Sequence, residues 1–210
     1  MPGDSTKERI MEVSLKLFSR HGFHAVSIRD ICKEVAIKES SVYYHFKNKR
    51  AIFNELLLRF EAAASGLMQQ LDEAILQPCA INEMSGEAVS KTFFEDYLMD
   101  DFCNSFMRLL HIEQSHDVEI QQVYDKWIFR EPLRFQSKVF SALFNLKMEQ
   151  AADSEYLALK YYAPIFFFFQ RYLLGGELTE QKKEVFRVNV NYHIMNFFKE
   201  NGGSKWQTLL

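Results

Sequence analysis

Residues 27–49 read SIRDICKEVAIKESSVYYHFKNK. Ser27 followed three residues later by Asp30 has the spacing of a capping box, so a helix opens at about residue 28 and runs to about 34. A second short helix covers about 38–45, and Asn48 can cap a third. Between the first two lies only Val35-Ala36-Ile37, a tight turn. Val42 and Phe46, four apart, point back into a small core with Ile28, Ile31 and Ile37. The opposite face carries Lys38, Glu39, Ser40, Ser41, Tyr43, Tyr44 and His45, and a helix buried on all sides does not carry Lys-Glu-Ser-Ser.

Outward from this stretch the chain reads as helix throughout. Only four prolines and eight glycines occur in 210 residues, and apolar positions recur with the helical period. A first helix at about 5–21 places Ile10, Val13, Leu17 and Phe18 on one face and stops at Gly22. The helix capped by Asn48 extends to about Gln77, where Pro78 ends it, and residues 78–86 form a loop. Further helices are predicted at about 87–99, 102–114 and 118–146, the last kinked at Pro132. A break at Ala151–Ser154 precedes a helix at about 155–174, bent at Pro164 and ended by Gly175-Gly176. The last helix spans about 179–199. The fold class is therefore all-α, with about nine helices: a three-helix head, residues 1–50, on a larger helical bundle, residues 51–210.

Charge divides the same way. Residues 1–50 hold ten Lys and Arg against six Asp and Glu, a net of +4; the whole chain carries −3, which leaves −7 for residues 51–210. A basic head on an acidic body points to a polyanion as the partner of the head alone. The major groove of DNA is about 12 Å wide and admits a helix, and cations at the helix ends reach the flanking phosphates. The three cysteines, Cys32, Cys79 and Cys103, are odd in number and lack CxxC spacing, so they are expected to be small core residues in a reducing, cytoplasmic setting. The N-terminus MPGDSTKER has no apolar signal segment. The longest apolar run, about ten residues ending in Phe166–Phe169, is too short to span a bilayer.

Residues 10–56 resemble the DNA-binding region of the TetR family of bacterial transcriptional regulators. The matching pieces are Gly22-Phe23, Ser27-Ile28-Arg29-Asp30-Ile31, Ser41-Val42-Tyr43-Tyr44-His45-Phe46, Lys47-Asn48-Lys49, and the apolar positions Ile52, Leu56 and Leu57. The resemblance implies that Ser27 and Arg29 contact phosphate or a base edge, and that Lys38 and Glu39 face base edges. It implies that Ser41, Tyr43 and His45 donate to phosphates, that Tyr44 meets a base or sugar, and that Lys49 binds phosphate at a helix N-terminus. Three positions depart from the family pattern. Ala36 and Ser40 stand where Gly is common, and Lys38 stands where Ser often caps the helix. These departures bear on the operator sequence more than on DNA binding.

The resemblance further implies a homodimer that reads a palindromic double-stranded operator. It also implies a cavity in the body whose small-molecule ligand shifts the spacing of the heads. Most of the aromatic residues Phe60, Phe102, Phe106, Trp127, Phe129 and Phe166 are expected to be core; where they line the cavity they favour an apolar or aromatic effector, with Tyr97, His111, Glu113, Gln114 and Tyr162 as orienting polar groups. Phe186, Val190, His193, Ile194 and Phe197 form an apolar stripe, and together with Phe169 they are expected at the dimer interface. No cofactor, metal or catalytic residue is expected. Two other readings stand beside this one. In a metal-dependent helical-bundle enzyme, Glu113-x-x-His116 would be one half of a metal site, but no second half, HExxH, G-x-S-x-G or phosphate loop occurs in the sequence. In the other, the chain is a helical ligand- or partner-binding protein with a non-functional DNA head.

Overall fold

The computed structural model describes residues 2–76, 92–144 and 151–201. Among these, helices are the only regular elements. They are α1 (Pro2–His21), α2 (Ile28–Val35), α3 (Glu39–His45), α4 (Lys49–Leu76), α5 (Asp101–Glu113), α6 (Val118–Asp125), α7 (Glu131–Leu143), α8 (Ala151–Phe168) and α9 (Glu180–Asn201). Three π-helical segments accompany them: Phe94–Leu98 precedes α5, Lys126–Arg130 runs without a break from α6 into α7, and Phe169–Leu173 continues α8. The predicted loop at 78–86, most of the helix predicted at 87–99, Cys79 and the tail after residue 201 lie outside the described residues.

The chain forms two compact units. One comprises residues 1–63 and 105–124, the other residues 64–104 and 125–210. The division falls within α4 and within α5.

In the first unit α1 ends because Gly22 adopts φ +85° and returns its N–H to Phe18 O at 2.9 Å. The Ser27 box closes in both directions: Asp30 N–H donates to Ser27 Oγ at 3.2 Å, and Ser27 N–H donates to Asp30 Oδ2 at 2.8 Å. These bonds hold the Asp30 carboxyl below its ordinary range. Ala36 ends α2 in the left-handed region, φ 60° and ψ 45°, where an L-residue costs about 1–2 kcal/mol and Gly costs little. The turn nevertheless closes, with Ile37 N–H on Cys32 O at 3.0 Å. Asn48 Oδ1 accepts from Ala51 N–H at 2.9 Å and caps α4. Ile10, Phe18, Ile31, Val42 and Phe46 are buried and tie α1, α2 and α3 together. Phe18, Phe23, Phe53, Phe106 and Phe60 continue that core as a chain of ring contacts 4.8–6.0 Å apart.

In the second unit α8 packs on both α7 and α9. Phe140, Tyr161 and Phe197 meet there with centroids 5.2–5.4 Å apart. One expectation is refined and one is corrected. The helix expected at 118–146 runs without a break through Leu143, with a π segment at Lys126–Arg130 set into it just ahead of Pro132, which lies in the first turn of α7. Proline has no N–H, so it tolerates a first turn but cannot serve the carbonyls behind it. The break expected at Ala151–Ser154 is helix instead, the start of α8; Ser137 and Ser154, 2.9 Å apart through their hydroxyls, join that turn to α7.

Candidate nucleic-acid interface

The capping box fixes the start of α2 and the turn at Ala36 fixes the start of α3, so the first turns of both helices are set by local bonds. Val42 and Phe46 then orient α3: with both buried, Tyr43 and Tyr44 stand 51% and 84% exposed. Two large aromatic side chains in water on neighbouring positions are an unusual outlay of apolar surface for a monomeric head, and they flank the face that carries Lys38 and Ser40, both exposed. Lys38 occupies the cap of α3 in extended backbone, and its side chain makes no capping bond. Its ammonium is therefore not used by the helix. His45 lies half-buried, edge-on to Tyr44 at 5.0 Å.

Thr6 of α1 joins this face. With Ser40, Ser41, Tyr44 and His45 it lines an open recess of about 330 Å³. Hydroxyls, an imidazole and no carboxylate around one recess make a donor set suited to a phosphate oxygen. The sequence reading singled out Ser41, Tyr44 and His45 but missed Thr6 and Ser40 as members. Thr6 has no local motif to reveal it, because only the packing of α1 on α3 brings it there.

Ser27 spends its hydroxyl on Asp30, at 2.6 Å, as well as its N–H. Neither group is an idle donor. Arg29 is 86% exposed, and its Nε donates to Glu39 Oε1 at 3.1 Å. Lys49 is the least exposed cation of the set. Its Nζ donates to Phe23 O and Val26 O, each at 2.6 Å, and lies 4.3 Å over the Phe23 ring. Burial pushes its pKa down, and the charges of Glu113 and Asp30 oppose that push. Two of its three N–H bonds hold the 23–26 loop, which leaves one for a phosphate.

The residues expected to line a ligand site fall in both units, and each unit is described separately. In the first, Phe60 and Phe106 are fully buried and stack at 4.8 Å. His111 Nδ1 lies 3.2 Å from Tyr124 Oη and from Gln114 Nε2, and burial lowers its pKa. Glu113, spaced from His116 like half of a metal site, turns its carboxylate to His24, 3.4 Å from Nε2. In the second unit Phe166 packs on Phe129 at 4.8 Å, and Trp127 is buried. Tyr97 donates to Trp127 O at 2.9 Å, and Tyr162 donates to Ile128 O at 2.8 Å. Among the described residues no group of three or more His, Cys, Asp or Glu is placed to hold a metal ion, and no helix is long and apolar enough to cross a membrane. Cys32 and Cys103 are buried free thiols, and burial raises the pKa of each, that of Cys103 to about 12.

The stripe expected at a dimer interface turns inward. Phe169, Phe186, Val190, Ile194 and Phe197 are buried within their own chain, and half-buried His193 sits with Nε2 2.8 Å from Tyr161 O. The other side of α9 exposes Val185, Val188, Tyr192 and Met195, and α8 exposes Tyr156, Leu159 and Phe167. Helical period shows that a stripe exists but not which of two stripes faces inward, and α9 has apolar residues on both sides.

The two short helices, their buried hinge side chains and their exposed polar face define a helix-turn-helix head. Residues 10–56 match the family of bacterial regulatory proteins described as the tetR family. The chain is 33% identical over 70 residues to the HTH-type transcriptional regulator UidR of Escherichia coli (strain K12), which is 33% of this chain and 36% of that protein. It is 39% identical over 49 residues to IcaR of Staphylococcus aureus (strain Newman), described as a negative transcriptional regulator of the biofilm operon icaADBC; that stretch is 23% of this chain and 26% of IcaR. The matched stretches thus span about a third or less of these relatives. The likeness of fold reaches much further. A putative TetR-family regulator from Mesorhizobium loti MAFF303099 superposes with a TM-score of 0.62 over 95% of this chain and 98% of that one, at 13% identity.

Proposed function

We propose that this protein is a ligand-responsive transcriptional repressor that binds a palindromic operator as a homodimer, one head per half-site. The observation that carries the reading is the split of α3: Val42 and Phe46 are buried, while Lys38, Ser40, Tyr43 and Tyr44 are turned to solvent beside a recess of donors. Arg29, Lys38 and Tyr44 meet bases or sugars, with Glu39 facing base edges beside Arg29; Ser41, Tyr43, His45, Thr6 and the remaining N–H of Lys49 meet phosphates. Ser27 presents the start of α2. The role of IcaR as a negative regulator supports repression as the sign. No residue is assigned chemistry, the location is cytoplasmic, and residues 1–50 and 51–210 divide DNA reading from effector binding and dimerisation.

Release follows from linkage. The dimer samples head separations that fit the operator and others that do not. A small apolar or aromatic effector that prefers the unfitting state lowers DNA affinity, and DNA lowers effector affinity by the same factor.

The test is selection of random duplexes by the purified protein, followed by binding at several salt concentrations. A recovered palindrome with half-sites about one helical turn apart or slightly more is expected. Affinity should fall steeply with salt, and Lys49→Ala should weaken binding at all sequences. No enriched sequence, with or without added cell extract, would sink the reading.

A further inference from the structure

Arg29 and Glu39 are both exposed on the surface that faces DNA in the proposed function, yet they are joined to each other. Arg29 is the second residue of α2 and Glu39 the first of α3, and the guanidinium Nε donates to Glu39 Oε1 at 3.1 Å. Glu39 is 44% exposed and Arg29 86%, so the pair adds little to stability. A carboxylate on a face that approaches a polyanion also works against affinity for every sequence alike. Neither stability nor general affinity accounts for a glutamate here. The neighbouring carboxylate, Asp30, is occupied by the Ser27 cap and does not compete for Arg29.

The geometry of the pair matters for what Arg29 can still do. A guanidinium offers a side edge, made of Nε and one Nη, and an end edge, made of the two Nη groups. Glu39 occupies Nε and leaves the end edge open. That edge is the fork that spans O6 and N7 of a guanine in the major groove. An unrestrained arginine on this surface turns to the nearest phosphate, which carries no sequence information. We infer that Glu39 is a specificity-determining residue that acts through Arg29: it withholds the guanidinium from phosphate and presents its fork to one guanine in each half-site. Arg29 touches the base; Glu39 positions Arg29.

This inference rests on the DNA-binding reading, and one experiment separates the two. Random duplexes are selected with the full-length wild type, Glu39→Gln, Glu39→Ala, Arg29→Lys and Arg29→Lys/Glu39→Ala. The wild type is expected to fix a guanine at one symmetric position per half-site. Glu39→Ala and Glu39→Gln should keep the rest of the palindrome and bind at least as tightly averaged over sequences, but discriminate that base pair about tenfold less. Arg29→Lys keeps the charge and loses the fork, so it should lose the same preference, and the double variant should lose no more than Arg29→Lys alone. Retention of the guanine by both Glu39 variants would overturn the inference, as would independent, additive losses. A wild-type palindrome with either of those outcomes leaves the regulator reading standing, whereas a wild type that enriches nothing overturns both.

Discussion

The carboxylate of Glu113 occupies the space that a side chain on Gly22 would need. A Cβ built on Gly22 would lie 2.6 Å from Glu113 Oε1 and 3.2 Å from Ile112 Cγ2. Glu113 is buried, so its carboxylate cannot swing into solvent to make room. Gly22 also needs its φ of +85° to end α1, and it leads into the loop whose carbonyls hold Lys49. Gly22→Ala is therefore strained twice, by the backbone and by the contact, and should lose about 2 kcal/mol or more in urea unfolding. Adding Glu113→Ala should cost less than that variant does alone, because the first change has already disturbed the contact. Strict additivity would show that the contact does not matter and that backbone strain is the whole effect.

Tyr97 and Tyr162 answer a deficit created by Pro132. The π turn at Lys126–Arg130 pairs each carbonyl with the N–H five residues on, as Glu131 N–H does with Lys126 O. The next donor in that series would be residue 132, which would serve Trp127 O in π geometry or Ile128 O in α geometry. Proline has no N–H to give either. The two carbonyls receive tyrosine hydroxyls instead, at 2.9 and 2.8 Å. Tyr162→Phe leaves a buried carbonyl without a donor and should destabilise by about 1–3 kcal/mol with little change in shape. Tyr97→Phe should behave likewise. A neutral Tyr162→Phe would mean that water replaces the hydroxyl.

Asp72 gives the bundle an acid-sensitive clamp. Its Oδ2 accepts from Arg134 at 3.0 Å and Lys138 at 2.8 Å. Burial raises its pKa, but the bonds and charges of Lys138 and Arg134 together outweigh burial and hold it below 3.8. A carboxyl depressed in the folded state stabilises above its unfolded pKa, and loses that contribution as pH falls through its folded value. Asp72→Asn should thus cost about 1–2 kcal/mol at pH 7, and the gap to wild type should narrow below about pH 4. Unfolding by urea at pH 7, 4 and 3 checks this; a gap independent of pH would place the effect in packing and not in charge.

The head was legible in the sequence because its determinants are local. A serine three before an aspartate, two apolar positions four apart and a short turn between them fix the geometry within a few residues, and the structure returns the capping box, the Asn48 cap and the buried Val42 and Phe46. What was missed depends on distant partners. Thr6 reaches the interface only through α1, and the Arg29–Glu39 pair joins two helices ten positions apart. The carbonyls of the π segment ahead of Pro132 are served by Tyr97 and Tyr162, each at least 30 residues away in sequence. Periodicity in α9 reveals an apolar stripe but not whether its own chain or a partner covers it, because α9 carries apolar residues on both sides.

That second side supplies the dimer prediction. On α9, Val185, Val188, Tyr192 and Met195 recur at helical spacing opposite the buried stripe, with Val188 59% and Tyr192 70% exposed. On α8, which packs against α9, Tyr156, Leu159 and Phe167 do the same. Seven large apolar side chains on two adjoining helices exceed the scattered exposure usual for a monomer, and a self-complementary face on a helix pair suits a two-fold dimer. Val188→Glu with Tyr192→Glu places charge on this face without touching the core, so the protein should sediment as a folded monomer and retain its helical circular dichroism. Its binding to a full palindrome should drop towards that of a single half-site, since two linked heads gain from effective concentration. Phe186→Glu, on the buried side, should instead lose the fold. A double variant that still sediments as a dimer would move the interface away from α9.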